Sequence, residues 1–562
     1  MADVVNSPVG GQDFGYVIRW KITYVDKTAY LARLIEDRTK TWFLARPRRF
    51  GKSLTVSALK SIFSGKKELF KGLAVEKRLG EERFAPRPVI HLDLSDTVIS
   101  RDLESFEESL RDLTVDAANQ LKVVARQNKP PATVLTDLIT ETYSKYKSEV
   151  VILIDEYDFP VTGLLDEPDK ADSAREILRE YYLKLKSREN YFYFIFVTGI
   201  SKYARGGLYS AFNSPTDISQ EPEYGAITGF TQDELERYYD SELETVARSQ
   251  NVAKKSLLED MKQYYYGFCF DGDTFLYNPF STLQFFRKKM FDNFWYGSAT
   301  PERLVNYLRK NRLTVHEFDK MEVSRNNIIN PVLETRYDPA VFLQQLGYLS
   351  LRTGNSKQDY ILDYPNTEVR MSLARSVLIN DFQSAIEAKH VCKMVGEALT
   401  RRTPDTLVRE FNRLLSKFSH SYFPPKHTNL TEELKTTLSP QPFEKLSEDF
   451  YRGKIFTLFY ALGVVQQAEA RGNLGRADFV LTYGGNTWVI EVKVNHKEEG
   501  DKTLVDTAMK RIKENNYAGG CDNPVLLGIC INDNLRAVTW WRSEGGTAAG
   551  PDDVMDNPED AD

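Results

Sequence analysis

The spacing of apolar and polar positions changes along this chain, and the changes divide it. Four short, almost continuous apolar runs come early: Thr41 to Leu44, Pro88 to Leu94, Val150 to Ile154 and Tyr191 to Val197. Runs of this kind suit strands buried on both faces. The run Leu54 to Phe63 instead has amphipathic, helical spacing. Alternating strands and helices predict a parallel sheet covered by helices. From residue 231 the pattern turns helical. Thr231-Gln-Asp-Glu234 has the form of a capping box, and helical spacing continues through Leu257 to Tyr266. Residues 300 to 440 mix helical and short strand patterns and read as a winged-helix-like or helical connector. The last apolar series runs in a different order. A helix-like stretch from Ile455 to Val465 is followed by a strand-like run, a turn at Gly484-Gly485-Asn486 and the strand Val489 to Val494. A helix-like segment, Leu504 to Tyr517, and a strand, Val525 to Ile531, close it.

Composition bounds this picture. The chain has 562 residues, room for about three or four domains on size alone. A net charge of −6 argues against a basic coat over the whole surface, and leaves a local basic groove open. The cysteines Cys269, Cys392, Cys521 and Cys530 are scattered without C-x-x-C spacing, which argues against structural zinc. They read as reduced thiols of an intracellular protein, cytoplasmic or, in a eukaryote, nuclear. No apolar stretch approaches the roughly 18 residues that cross a bilayer, so no membrane partner is expected. The N-terminus lacks the basic start and apolar core of a secretory signal. Ser421 to Lys426, with Pro424 and Pro425, followed by polar residues to Pro442, reads as a linker into the last apolar series. The segment from Ser543 to Asp562 reads as a disordered acidic tail.

Two places carry chemistry. After the first strand comes Arg46-Pro-Arg-Arg-Phe-Gly-Lys-Ser53, then the amphipathic helix. Strand, tight turn, Gly-Lys-Ser and helix is a phosphate-binding context. Gly51 lets the backbone approach a phosphate, Lys52 reaches the β- and γ-phosphates, and the Ser53 hydroxyl can ligate magnesium. The helix N-terminus favours the anion. Arg49, Phe50 and Leu54 complete the loop expected to contact nucleotide. The common pattern G-x-x-x-x-G-K-[ST] would need glycine where Arg46 stands, and an exposed basic turn is the competing reading. The third strand ends in Asp155-Glu156. Asp155 is expected to hold magnesium through water, and Glu156 to polarise the attacking water. Thr198, at the end of the fourth strand, and Ser201 beyond it are placed to sense the γ-phosphate. Asp93 lies on the second.

With Tyr24-Val-Asp-Lys-Thr28, Ile154-Asp-Glu-Tyr-Asp158 and Leu276-Tyr-Asn-Pro-Phe280, this loop is similar to the AAA-ATPase-like family, in which RPRRFGKS is the usual P-loop. It also resembles the loop of STAND-type ATPases. The resemblance implies ATP and Mg2+ as cofactors.

At the other end, Asp478 precedes the hairpin, and Glu491 and Lys493 interrupt its second apolar strand. Side chains two apart share a strand face. A hairpin brings an acid from one strand beside an acid and a lysine from the next. Two carboxylates favour a hard divalent cation, and the lysine can orient water or offset phosphate charge. This arrangement resembles the PD-(D/E)XK nuclease superfamily. Many of its members have glutamine where Arg511 stands and histidine where Arg452 stands. Glu444, Glu448 and Glu469 are candidates for a further acid.

Together these features predict an α/β protein: a P-loop NTPase with a parallel sheet over 15–235, a helical lid and connector over 236–430, a PD-(D/E)XK nuclease-like domain over 440–542 and a tail over 543–562. The expected catalytic residues are Glu156, Asp478, Glu491 and Lys493. Ser53, Asp155, Asp478 and Glu491 are the expected metal ligands. The expected partner is nucleic acid, DNA ahead of RNA, and a homo-oligomer is left open. This module order also resembles Crinkler-type effectors and mobile-element or phage-conflict proteins. The expected activity is therefore ATP-gated, Mg2+-dependent cleavage. The rivals are a nucleotide-switched scaffold with an inactive nuclease fold and a plain protein-remodelling ATPase.

Overall fold

The computed structural model describes residues 11–98, 102–164, 167–202, 215–295, 304–306, 308, 313–329, 339–354, 356, 359–418, 446–464, 471–472, 475–497, 500–515, 517 and 523–547. The expected linker, the tail from residue 548 onward, Cys521, Glu444 and Glu469 lie outside the described residues. The chain divides into two compact units, Met1–Ala299 with Phe318–Val369, and Thr300–Glu317 with Arg370–Asp562.

In the first unit, β1 (Thr41–Ala45), β2 (Val89–Asp93), β3 (Val150–Asp155), β4 (Phe192–Gly199) and β5 (Thr216–Asp217) form one sheet in the order β2-β3-β4-β1-β5. Every pairing is parallel. Strand alternation gives the sheet two apolar faces. Trp42, Leu44, Val151, Leu153 and Phe196 share a cluster with Val56, Leu59 and Ile62 of helix α1 (Lys52–Phe63). Phe43, Ile152, Ile154 and Val197 share the other with Leu110, Leu135 and Leu178. These come from α2 (Leu103–Gln120), α3 (Pro131–Tyr146) and α4 (Pro168–Lys186). Each fully buried aliphatic position contributes roughly 1.5–3 kcal/mol, which is why both alternations of these strands are apolar. The C-terminal ends of β1, β3 and β4 lie side by side and present the loops that carry the motifs.

The capping box forms: Thr231 Oγ1 accepts from Glu234 N, and Glu234 accepts from Thr231 N, at the start of α5 (Gln232–Tyr238). A hairpin follows, β6 (Tyr266–Cys269) with β7 (Phe275–Tyr277). Residues 318–369 fold with this same unit. They supply a three-stranded antiparallel sheet of β8 (Met321–Ser324), β9 (Ser350–Thr353) and β10 (Asp359–Asp363). Ser350 Oγ accepts from Cys269 N and donates to Gly267 O. Gly267 has φ +112°, and a Cβ there would stand 2.1 Å from Pro365 O, so glycine is required.

In the second unit, β11 (Phe479–Tyr483) pairs antiparallel with β12 (Asn486–Asn495). β12 pairs parallel with β13 (Val525–Asn532), and β13 pairs antiparallel with β14 (Ala537–Glu544). Helix α6 (Glu448–Ala461) precedes this mixed sheet, and α7 (Asp501–Glu514) makes the crossover from β12 to β13. Helix, hairpin, helix and strand follow in the expected order, with β14 added at the edge; the strand expected around Glu469 lies outside the described residues.

Candidate nucleotide and metal-ion sites

The loop from β1 to α1 is built around a buried arginine. Arg46 is 1% exposed and donates to the carbonyls of Ala45 at 2.9 Å, Ser219 at 2.6 Å and Tyr224 at 3.3 Å. Its guanidinium lies 4.5 Å from the centre of the Phe270 ring. Burial pushes its pKa down to about 10, against the charges of Asp271 and Asp217. Arg46 therefore ties the start of the loop to the rest of the unit and takes no part in the cavity lining. Gly51 follows at φ +94° as the N-cap of α1, and a Cβ there would meet nothing, so conformation alone calls for glycine.

A cavity of about 440 Å³ opens over this turn. Arg49, Phe50, Gly51, Lys52, Ser53 and Leu54 line it, as does Glu156. Lys52 is 3% exposed; its Nζ lies 3.1 Å from Glu156 Oε1 and donates to Pro47 O at 3.3 Å. The Ser53 hydroxyl favours the charged form of Asp155. Burial first, and the charges of Glu156 and Asp93, raise the Asp155 carboxyl to about 6 despite Ser53 and Lys52. A buried acid short of positive charge beside a serine hydroxyl is an oxygen donor pair that fits magnesium. Asp93 stands in register with Asp155 and also lines the cavity. Glu156 sits at φ +49°, a left-handed conformation uncommon for its type. Asp158 secures the loop behind it, accepting from Ile200 N, Ser201 N and Ser201 Oγ at 3.0, 2.7 and 2.6 Å. Thr198 pairs with Leu44 at the end of β4; its buried Oγ1 has no hydrogen-bond partner among the described residues, and it does not line the cavity.

The apolar wall of the cavity was not assigned from sequence. Val25, Phe230, Tyr239, Phe280 and Leu283 line it. Two of these lie in motifs noted above without a role, Tyr24 to Thr28 and Leu276 to Phe280, and that was the available signal. Arg49 stacks over Phe280 at 4.8 Å. Lys27 pairs with Glu234 at 2.6 Å, joining the Tyr24 segment to the capped start of α5.

In the second unit the hairpin brings Asp478, Glu491 and Lys493 together. Asp478 is 6% exposed, and its Oδ2 accepts from Val492 N at 2.7 Å. Glu491 is fully buried, with Oε2 3.4 Å from Asp478 N. Lys493 Nζ donates to Glu491 Oε1 at 3.2 Å and to Val492 O at 3.1 Å. Arg511 Nη1 lies 2.7 Å from Glu491 Oε1, and Arg452 Nε lies 3.3 Å from Asp478 Oδ1. Glu448, in the first turn of α6, stands 3.6 Å from Lys493. Burial, then the charge of Asp478, raises the Glu491 pKa, while Lys493 and Arg511 oppose the rise. Two adjacent buried carboxylates are a hard oxygen donor set that fits a divalent cation. Among the described residues no cluster of three or more His, Cys, Asp or Glu side chains is gathered for a metal. His496 faces Asp533 at 3.2 Å and does not join the pair.

Residues 8–209 match the family model described as "Predicted AAA-ATPase". Residues 446–541 match that of the PD-(D/E)XK nuclease superfamily. A protein of Azotobacter chroococcum mcd 1, described as "Uncharacterized protein in vnfD 5'region", is 27% identical over 540 residues, covering 94% of this chain and 97% of its own. Among the described residues no helix is long and apolar enough to cross a membrane. The Gly-Lys-Ser turn and the acid-acid-lysine hairpin thus lie within the two matched segments, and the chain carries an AAA-ATPase-like domain followed by a PD-(D/E)XK nuclease superfamily domain.

Proposed function

We propose that this chain binds and hydrolyses ATP with Mg2+ at the P-loop cavity and cleaves nucleic-acid phosphodiesters at a Mg2+-dependent site, DNA ahead of RNA, in genetic conflict or defence. The observation that carries the nuclease reading is Glu491, fully buried beside Asp478 and Lys493. Burying such a charge is costly, and a bound cation offsets it. That cation would acidify a water and offset phosphate charge. Asp478 and Glu491 would hold it, and Lys493 would orient the attacking water or bind the phosphate. At the P-loop, Lys52 would leave Glu156 for the β- and γ-phosphates. Glu156 would then be free to polarise water, with Ser53 and Asp155 holding Mg2+. The 440 Å³ cavity and its apolar wall supply space and surface for a base.

One observation favours the second reading, a nuclease fold that only binds nucleic acid: an arginine stands against each carboxylate. The test uses the purified full chain with linear and circular DNA, single-stranded DNA and RNA, with and without Mg2+ and ATP, beside Asp478→Ala. Cleavage by wild type and not by the variant supports the nuclease. Salt-dependent binding without cleavage of any substrate selects the second reading.

A further inference from the structure

The candidate metal site carries a charge balance that its motif does not require. Three carboxylates, Asp478, Glu491 and Glu448, face three cations, Arg452, Lys493 and Arg511. Asp449, largely exposed, adds a contact to Arg452 at 3.3 Å. The cluster is close to neutral as it stands. A divalent cation entering between Asp478 and Glu491 would meet guanidinium charge within a few ångströms, in a setting where such repulsion is strong.

The three cations differ in freedom. Lys493 is held by Glu491, Glu448 and the Val492 carbonyl, with its side chain 15% exposed. Arg452 lies on α6 and is 28% exposed. Arg511 lies on α7 and is 42% exposed, the most open of the three. It has an alternative neighbour already in Tyr517, which helps to hold its charge. Its planar fork of N–H donors suits a phosphate as well as a carboxylate.

We propose, on the basis of the nuclease reading above, that Arg511 has two positions: counter-ion of Glu491 in the free protein, and clamp on a nucleic-acid phosphate once substrate enters, with or without the cation. The phosphate draws off the guanidinium that otherwise opposes the cation. Divalent cation and nucleic acid therefore bind with positive cooperativity, and the cation alone binds weakly. The residue contacts substrate and acts on the metal only by vacating Glu491.

Two binding measurements without turnover test this on the full chain. Mn2+ is titrated calorimetrically without nucleic acid, and a DNA duplex is titrated in chelator at several salt concentrations. Arg511→Gln is expected to bind Mn2+ about tenfold tighter, since a neighbouring positive charge is gone. The same variant is expected to bind metal-free duplex more weakly, its salt slope smaller by about one. Arg511→Lys, which keeps the charge, should retain wild-type Mn2+ affinity. A general loosening of the fold would weaken both equilibria, so opposite changes mark the two-position role. Unchanged or weaker Mn2+ binding in Arg511→Gln overturns the proposal. Asp478→Ala separates the premises. If it abolishes Mn2+ binding while Arg511→Gln changes nothing, this inference alone fails. If Mn2+ binds Asp478→Ala as it does wild type, the site is not a metal site, and the nuclease reading falls with it.

Discussion

Replacing Arg46 with alanine is expected to destabilise the first unit and leave the chemistry of the P-loop intact. The side chain donates to three main-chain carbonyls and stacks on Phe270, with 1% of its surface exposed. Each buried acceptor left without its donor costs about 1–3 kcal/mol. The 3.3 Å contact to Tyr224 counts for little, so two acceptors dominate. Relief from burying a charge, visible in the lowered pKa, returns part of the cost. The net expectation is a loss of about 3 kcal/mol. Arg46→Lys should restore only part of it, because an ammonium replaces the Nη1 donor to Ala45 and Ser219 but not the planar stack on Phe270 or the Nη2 contact to Tyr224. Urea unfolding of the full chain measures the loss, and fluorescent-nucleotide titration well below the transition measures the site. ATP affinity within about threefold of wild type is expected, since Arg46 does not line the cavity. Unchanged stability with a hundredfold loss of ATP affinity would refute the reasoning and place the guanidinium on phosphate.

Lys52→Ala should abolish tight ATP binding, read by the same titration; retained affinity and turnover would sink the P-loop assignment. Glu156→Gln should bind ATP at least as well, because Lys52 loses its 3.1 Å partner. It should hydrolyse ATP on the order of 10²–10⁴ more slowly, measured by phosphate release. Asp478→Ala and Glu491→Ala should each remove metal-dependent cleavage, and Lys493→Ala should remove cleavage without weakening metal affinity, which calorimetry checks. Glu368 is fully buried and its carboxyl is raised to about 8, chiefly by burial. The folded state holds that proton where the unfolded state has lost it. Stability should therefore fall by roughly 1.4 kcal/mol per pH unit between the ordinary carboxyl range and about pH 8, then level off. Glu368→Gln should flatten this fall in melting midpoints between pH 5.5 and 8.

β1, β3 and β4 were legible because parallel strands buried on both faces leave continuous apolar runs, and the edge strand β2 because Ile90 and Leu92 keep its inner face apolar. β5 was not, since Thr216–Asp217 is two polar residues recruited by β1. β14 escaped notice because its outward positions carry Arg542 and Glu544, as an edge strand permits. The hairpin acids announced themselves by breaking an apolar run. Their arginine partners could be placed on helices, but which carboxylate each would meet depends on α6 and α7 packing against β12. The role of Arg46 was hidden for the same reason: its acceptors, Ser219 and Tyr224, lie more than 170 residues away. The attachment of residues 318–369 to the first unit is likewise long-range, and no local spacing encodes it.

That attachment sets an order of events during synthesis. Gly267 and Cys269 emerge from the ribosome well before Ser350, 83 and 81 residues further on, supplies the hydroxyl that satisfies them. At about 5–20 residues per second the delay is roughly 4–17 s. Over that interval the five-stranded parallel sheet is complete in sequence while the β6–β7 hairpin lacks its cover. Residues 300–317, which belong to the other unit, are made in between. A nascent chain stalled or cleaved near residue 299 would expose that hairpin. One stopped at 369 would hold every segment of the first unit, which makes 369 the better endpoint for isolating it.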